Sequence, residues 1–247
     1  MPRVFSLADA VEILHRDRIE QRLKTELAAI LDEWRRKLRP AETGQPPAEE
    51  EERKLALLLL LLLLPIWEDA AEQLLEAGGL QPGRRVVGSP AEPRVIFAPS
   101  QSEIRIDAVL GAQGQARTAA QQIVANTRNR LNEAFGAVLS NDLTEAEFQA
   151  LLDKLFGAER AESISITETT RARTGGFENG RGYFAERGLP LLAVWQVTKD
   201  ERLCKVCRPL HGQPESAWKL SFPDGPPAHP RCRCTLAMVA RDGTELN

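Results

Sequence analysis

The residues best suited to chemistry lie in one short segment near the C-terminus, between Cys204 and Cys234. It contains all four cysteines and two of the three histidines, arranged as Cys204-Lys205-Val206-Cys207 and His229-Pro230-Arg231-Cys232-Arg233-Cys234. Two ligands separated by two residues project from one side of a tight turn, so two such pairs can share a tetrahedral ion. Nitrogen and sulfur ligands favour Zn²⁺ over hard cations such as Mg²⁺. The spacing therefore predicts a zinc site.

Five side chains are candidate ligands, whereas a structural zinc ion takes four. The candidates are Cys204, Cys207, His229, Cys232 and Cys234. Cys204, Cys207 and Cys232 are the strongest, and the choice between His229 and Cys234 stays open. His211 is a weaker candidate, because its neighbours Leu210 and Gly212 are typical of a turn.

Other interpretations of the cysteines are two disulfides, four ordinary buried residues or a redox-active CxxC pair. No signal peptide is recognised, so we expect a reducing compartment, where clustered cysteines usually bind metal. No βαβ pattern surrounds the CxxC pair, as a redox centre would require. The span between the ligand pairs is rich in proline and glycine, so a metal that joins its ends supplies stability that regular structure would otherwise give. We expect a structural zinc ion.

Signals for enzymatic activity are weak. Asp200 and Glu201 are candidate general bases beside Cys204, but a solvated turn is their more ordinary role. Zinc ligation would consume the thiolates that a thiol hydrolase needs, and no Walker A loop or dinucleotide fingerprint is present. We predict no enzymatic activity, no catalytic residues and no organic cofactor.

The composition predicts a mainly helical protein. The 247 residues are 43% hydrophobic and only 5% aromatic, and Ala, Leu, Glu and Arg, which favour helices, dominate. A formal net charge of −3 argues against a dedicated nucleic-acid binder, although it leaves room for a local basic face.

Apolar periodicity and helix end signals predict five helices. They cover Ser6 to Arg39, Glu49 to Ala77, Glu103 to Leu139, a segment from a capping box at Thr144 to Phe156, and Ala158 to Arg187. The run Leu57 to Leu64 is too short for a bilayer, which needs about 20 apolar residues. We therefore predict that the second helix is central and packed, and a subunit contact is one place where its leucines could be buried. Glycines in the fifth helix indicate close packing against the zinc loop or a partner.

Two surfaces carry enough arginine to be weighed as DNA-binding faces. In the first helix the basic residues alternate with acids, so a solvated face is the simpler interpretation. The third helix carries Arg117, Arg128 and Arg130 among Asn and Gln residues, with Glu133 as the one acid after Asp107. It is the first candidate for touching DNA phosphates or an acidic protein surface, beside the simpler interpretation of an ordinary helix surface.

Extended structure is predicted in two places. The short runs 85–87 and 95–97 lie in a Pro/Gly-rich stretch, 78–102, and indicate edge strands or an extended arm. Residues 192–197 form a strand whose partner is Thr235 to Val239. The fold class is therefore α+β, mainly helical, with long N-terminal helices in 1–157 and a small zinc-stabilised α+β module in 158–247.

Several motifs in this last third occur together: Thr167 to Arg173 (TETTRAR), Trp195 to Thr198, Asp200 to Cys207 (DERLCKVC), Leu210 to Gln213, and Pro226 to Cys234 (PPAHPRCRC). In these motifs the chain resembles the phage Mu F-like minor head protein family, from about Ala158 to Val239. The PPAHPRCRC ending and its distance from DERLCKVC are the most specific part. Residues 1–157 share no such resemblance.

The resemblance implies a non-enzymatic minor capsid or head morphogenesis protein of a tailed phage or prophage. The implied partners are the portal protein, other capsid or scaffold proteins and the packaged double-stranded DNA, without a membrane, and a homo-oligomer is a further expectation. The implied location is the virion head, at the capsid interior or portal vertex, after assembly in the host cytoplasm. The alternative is a zinc-tied nucleic-acid-binding module.

Overall fold

The computed structural model describes residues 7–37, 49–77, 85–87, 95–97, 99–140, 142–198 and 204–239. The described helices are α1 (Leu7–Lys37), α2 (Glu49–Ala77), α3 (Gln101–Leu139), α4 (Glu145–Phe156), α5 (Ala158–Glu186) and the short α6 (Glu215–Trp218). The described strands are β1 (Arg85–Val87), β2 (Val95–Phe97), β3 (Leu192–Gln196) and β4 (Thr235–Val239). A mainly helical chain with a small two-stranded sheet near its C-terminus is confirmed.

The long helices follow the sequence pattern closely. Helix α2 has the predicted bounds, and α3 begins two residues before Glu103. The capping box is present, since the Thr144 hydroxyl accepts a hydrogen bond from the Glu147 backbone and the Glu147 carboxylate accepts one from the Thr144 backbone. Ser6, where the first predicted helix begins, lies outside the described residues.

Both sheets are antiparallel pairs. Strand β1 pairs with β2 in the register Arg85↔Phe97, so the two short runs pair with one another. The remainder of the stretch up to residue 98 lies outside the described residues, and an arm that grips a neighbouring subunit stays a prediction. Strand β3 pairs with β4 in the register Leu192↔Val239, as predicted.

The chain divides into two compact units, and the divisions fall within α2, α3 and α5. The first unit is Met1–Leu62 with Gly114–Thr169, and the second is Leu63–Gln113 with Thr170–Asn247. The predicted domain boundary between residues 157 and 158 stays a prediction.

The first unit has a leucine-rich core. Its buried residues on α1 recur every three or four positions, as the amphipathic pattern requires: Leu23, Leu27, Leu31 and Trp34. Helix α1 packs against α4. Basic side chains on α1 form ion pairs, including Arg35 with Asp153 at 2.7 Å. These pairs favour the charge-balanced interpretation of the α1 surface.

The leucine run of α2 is packed on one side only. Leu59 and Leu63 are fully buried, whereas Leu57 and Leu61 are 57% and 63% exposed. Leu57 and Leu61, an i, i+4 pair, lie on the face opposite the core and are not covered by the described part of the chain. Burial of that face at a subunit contact stays a prediction. Within the described residues, no helix is both long and apolar enough to span a bilayer.

The second unit contains the core on which the C-terminal loop rests. Trp195, Leu236 and Met238 are fully buried, together with Trp218 at 1% exposure. The Trp195 and Trp218 rings meet edge to face, with centroids 5.4 Å apart. Helix α5 contributes Phe177 and Phe184 to the same cluster.

Candidate metal centre

The loop that carries the candidate ligands is closed at its base by the β3–β4 pair. Antiparallel pairing ends at Gln196 opposite Thr235, and just beyond it the Thr198 hydroxyl donates a hydrogen bond to the Arg233 carbonyl at 2.5 Å. The outer edge of β3 is bonded to the middle of the loop, because the Gly212 N–H donates to the Trp195 carbonyl at 2.8 Å. The two ends of a long loop are thus held together.

Three candidate ligands meet at one side of this loop. The Nε2 atom of His229 lies 2.9 Å from the Cys204 sulfur and 3.2 Å from the Cys207 sulfur. The CxxC segment is a tight turn, in which the Arg208 N–H donates to the Cys204 carbonyl at 3.1 Å. The Cys207 N–H donates to the Cys204 sulfur at 3.3 Å, a bond that favours a thiolate there.

A second group of three shares Cys207 with the first. The sulfurs of Cys207 and Cys232 are 3.7 Å apart, and the sulfur of Cys234 lies within 4.8 Å of both. Two sulfurs bound to one tetrahedral zinc ion at about 2.3 Å would be separated by about 3.8 Å. The structure therefore brings all five predicted ligands into one cluster centred on Cys207.

The orientation of His229 suits a ligand role. Its Nδ1 lies 2.8 Å from the Pro230 carbonyl oxygen. Because a carbonyl can only accept, Nδ1 carries the proton and the lone pair belongs to Nε2, which faces the Cys204 and Cys207 sulfurs. A metal-bound histidine is usually held in this way through its other ring nitrogen.

The cysteines are close enough to share protons. Hydrogen bonds from the thiols of Cys207 and Cys234 lower the pKa of Cys232 to about 2, while the hydrogen bond to Cys232 raises the pKa of the Cys207 thiol. Burial opposes ionisation of Cys204, but hydrogen bonds from the backbone and side chain of Cys207 lower its pKa. The contacts thus favour the thiolate, the form that binds metal, at Cys204 and Cys232, whereas the pKa values of Cys207 and Cys234 are raised.

Helix α5 supports the cluster through side chains whose role was not predicted from the sequence. The buried Thr170 hydroxyl donates to the Cys232 carbonyl at 2.7 Å. Arg173 donates a hydrogen bond to the Thr235 hydroxyl at 3.2 Å and stacks on Phe177. The threonines of the TETTRAR motif were the available signal, but a buried hydroxyl cannot be assigned a partner before the fold is known.

A second contact joins α5 to the loop at α6. Arg181 donates to the Glu215 carboxylate at 2.6 Å and also pairs with Glu178. The hydrogen bond from Arg181 lowers the pKa of Glu215 to about 2. Lys219 is a further partner of Glu215, at 2.9 Å.

His211 lies outside both groups of ligands. It is exposed, and its Nδ1 accepts a hydrogen bond from the Val197 N–H at 3.4 Å. This contact fits the turn role that its neighbours indicated. Asp200 and Glu201, the candidate general bases, lie outside the described residues.

No family model, curated protein or solved structure matches this chain.

Proposed function

We propose that this protein is a non-enzymatic component of tailed-phage head assembly whose C-terminal loop is held by one structural Zn²⁺. The observation that carries the metal site is the arrangement of two ligand groups around Cys207. The donor set of thiolates and one imidazole is the set that structural zinc prefers. The zinc ion would join the CxxC turn to the turn at His229 through its bonds to both.

The proposed ligands are Cys204, Cys207, His229 and Cys232. The first three lie within 4.8 Å of one another, and Cys232 is the fourth because its sulfur is 3.7 Å from that of Cys207. Cys234 is then an adjacent buried thiol outside the ligand set.

Burial supports a structural role over a catalytic one. Cys207 and Cys232 are each only 2% exposed and belong to the hydrophobic core cluster. A catalytic zinc ion needs an open position for water or substrate; the Cys207 and Cys232 side of the site is closed to solvent, and Cys204 and His229 are half-buried. The same burial supports the expectation of no enzymatic activity.

Metal content per chain tests the site. Elemental analysis of protein produced in zinc-supplemented minimal medium is expected to give about one zinc per chain, from the four-ligand stoichiometry of structural sites. Cys232→Ser is expected to lose the metal, whereas Cys234→Ser is expected to keep it. Retention of zinc by Cys232→Ser together with its loss from Cys234→Ser would replace Cys232 by Cys234 in the ligand set. Absence of metal from the wild type, with four free thiols and an intact fold, would refute the site.

The assembly role rests on the resemblance of the C-terminal motifs to those of Mu F-like proteins, and the cysteines and histidine of these motifs are the ones that lie in one cluster. The proposed partners are the portal protein, other capsid or scaffold proteins and packaged double-stranded DNA, and the proposed location is the virion head. Co-expression with the portal protein from the same genome is expected to give a complex that survives high salt. Failure to co-purify with either portal or capsid protein would count against the assembly role and would leave the proposal of the metal site unaffected.

A further inference from the structure

Three buried sulfur atoms form a group that the proposed zinc ion would use only in part. The sulfurs of Cys207, Cys232 and Cys234 all lie within 4.8 Å of one another, and all three residues are buried. Zinc in the proposed set would bond to the first two and leave the Cys234 sulfur beside the ion without a ligand role. We call these three side chains the trithiol group.

The trithiol group differs from a structural zinc site in the number and type of its ligands. Among the described residues, no fourth Cys, His, Asp or Glu completes this group. Structural zinc is almost always four-coordinate. Cu(I) is a softer ion that thiolates select, and it forms stable complexes with only two or three of them. The ligands of the trithiol group therefore match Cu(I).

The spacing of the sulfurs is compatible with a three-coordinate ion. With metal–sulfur bonds of about 2.3 Å, as for zinc, three sulfurs in a trigonal plane lie about 4.0 Å apart. The Cys207 and Cys232 sulfurs are 3.7 Å apart, and the Cys234 sulfur lies within 4.8 Å of both. Small side-chain rotations would bring the three sulfurs to the trigonal spacing.

A buried donor without an acceptor lies next to the third sulfur. The indole N–H of Trp195 is buried and has no hydrogen-bond partner among the described residues. Contacts with Cys207 and with this indole act to lower the pKa of Cys234, although Cys232 and burial raise it overall. A neutral thiol is a weak acceptor, whereas an ionised group accepts a stronger hydrogen bond. Cys234 bound to a metal as a thiolate would therefore give the indole the acceptor that it lacks.

The surroundings of the trithiol group also suit Cu(I). Its three cysteines belong to the hydrophobic core cluster together with Trp195. A hydrophobic shell limits the access of solvent to a metal and so influences its redox state. Exclusion of water and oxygen protects Cu(I) from oxidation. Cys204 and His229, which complete the proposed zinc site, are only half-buried.

We propose that the trithiol group binds one Cu(I) ion through Cys207, Cys232 and Cys234, and that copper and zinc exclude one another. The exclusion rests on the proposed zinc site, because the two ions share Cys207 and Cys232. When copper replaces zinc, Zn²⁺ leaves Cys204 and His229, and Cys234 gives its proton to solvent as its sulfur bonds to Cu(I). No electron is transferred, because copper enters in its reduced state. With either ion, Cys207 keeps the CxxC turn joined to the turn at Cys232.

Copper titration of the zinc-loaded protein tests the proposal. The full chain is titrated without oxygen with Cu(I) held by a chelator of known affinity, while a zinc indicator records the zinc that is released. Copper is expected to bind once per chain, at the single three-sulfur group, and to release zinc in equal amount. X-ray absorption at the copper edge is expected to show sulfur neighbours without nitrogen. A nitrogen ligand on copper, or copper binding that leaves zinc in place, would overturn the proposal.

Two matched cysteine variants separate the copper ligands from the zinc ligands. Cys234→Ser removes a copper ligand and is expected to lower the affinity for Cu(I) by more than about 100-fold, the upper end of the loss caused by an outer partner of a ligand. It is expected to keep zinc. Cys204→Ser makes the same chemical change in the same cluster and is expected to lose zinc but bind Cu(I) as tightly as zinc-free wild type.

The variants can also contradict the proposal. Wild-type affinity for Cu(I) in Cys234→Ser would overturn it, and so would equal losses of affinity in Cys204→Ser and Cys234→Ser. The absorption spectrum of the wild type and the comparison of Cys234→Ser with wild type do not depend on whether Cys204→Ser folds without a metal.

The outcomes for the two metals are separable. Zinc-loaded wild type that keeps its zinc and binds no copper, even with copper in excess, would overturn the copper site and leave the zinc site standing. Wild type that is isolated without zinc but binds Cu(I) through sulfur alone would refute the zinc site and support the copper site. Wild type that binds neither metal would refute both.

Discussion

Two glycines of α5 lie against α2 at distances that leave no room for a side chain. A Cβ atom at Gly175 would lie 2.2 Å from Cζ2 of Trp67, and the same ring is 2.3 Å from the corresponding position at Gly111. The indole is therefore confined on both sides and cannot move away. A Cβ atom at Gly176 would lie 2.5 Å from the Trp67 carbonyl oxygen, which belongs to a helix backbone. We predict that Gly175→Ala and Gly176→Ala both destabilise the protein.

The expected magnitude is the balance of two opposing effects. Replacing glycine by alanine inside a helix stabilises it by about 1 kcal/mol, whereas forcing a methyl group into a packed contact costs about 1–3 kcal/mol and occasionally more. With contacts near 2.5 Å the cost exceeds the gain, so a net loss of about 1–2 kcal/mol is expected for either variant. At Gly180 the nearest atoms are 3.0–3.4 Å away, mostly on the Leu74 side chain, and the net effect should be near zero.

Gly182 provides the matched control in the same helix. A Cβ atom added there would have no heavy atom within 4 Å, and the residue is exposed, so Gly182→Ala should stabilise the protein by about 1 kcal/mol. Urea unfolding followed by circular dichroism would give the free energy of unfolding of each of the glycine variants. If Gly175→Ala and Gly176→Ala stabilised the protein as much as Gly182→Ala, the close packing of α5 on α2 would be refuted.

Three further perturbations test contacts around the metal centre and one helix end. The pKa of Glu215 is about 2 in the folded state against a usual 4.5. Its pairing with Arg181 therefore stabilises the protein above pH 4.5, and that stability is lost as the pH falls towards 2. Glu215→Gln should lower the free energy of unfolding by about 1–3 kcal/mol at neutral pH and flatten this part of the stability profile, as measured by thermal unfolding against pH. Thr170→Val should cost about 1–2 kcal/mol and weaken zinc binding, because it leaves the buried Cys232 carbonyl without its donor; unchanged unfolding and unchanged zinc affinity would contradict that role. Thr144→Ala should cost about 1 kcal/mol in urea unfolding and Thr144→Ser should restore most of it, since the hydroxyl caps α4; equal losses in both variants would rule out capping.

Features set by neighbouring residues were predictable from the sequence. The bounds of α2 follow from its acidic start and the glycines after Ala77, and the capping box of α4 follows from the spacing of Thr144 and Glu147. The pairing of β3 with β4 was also predictable, because two short apolar runs flank a loop that cannot form regular structure. In each case the interactions that decide the structure lie within a few residues or follow from chain order.

The exposure of the α2 leucines could not be predicted in the same way. The run Leu57 to Leu64 is apolar around the whole helix, so its pattern does not indicate which face is buried. Tertiary packing buries Leu59 and Leu63 and leaves Leu57 and Leu61 exposed. The α5 glycines were expected to pack against the zinc loop or a partner, whereas Gly175, Gly176 and Gly180 lie against α2, because a missing side chain does not specify what fills the space.

The sequence by itself determined the identity of the five candidate ligands and the kind of metal that they suit, because ligand chemistry belongs to residue types and short spacings. Only the tertiary structure decided that Cys207 is shared by two groups of ligands and that Nε2 of His229 faces the Cys204 and Cys207 sulfurs. It also decided that Arg231 lies on the turn beside the CxxC turn. These relations join residues more than twenty positions apart, and their distances depend on how β3, β4 and α5 close the loop, which no local pattern specifies.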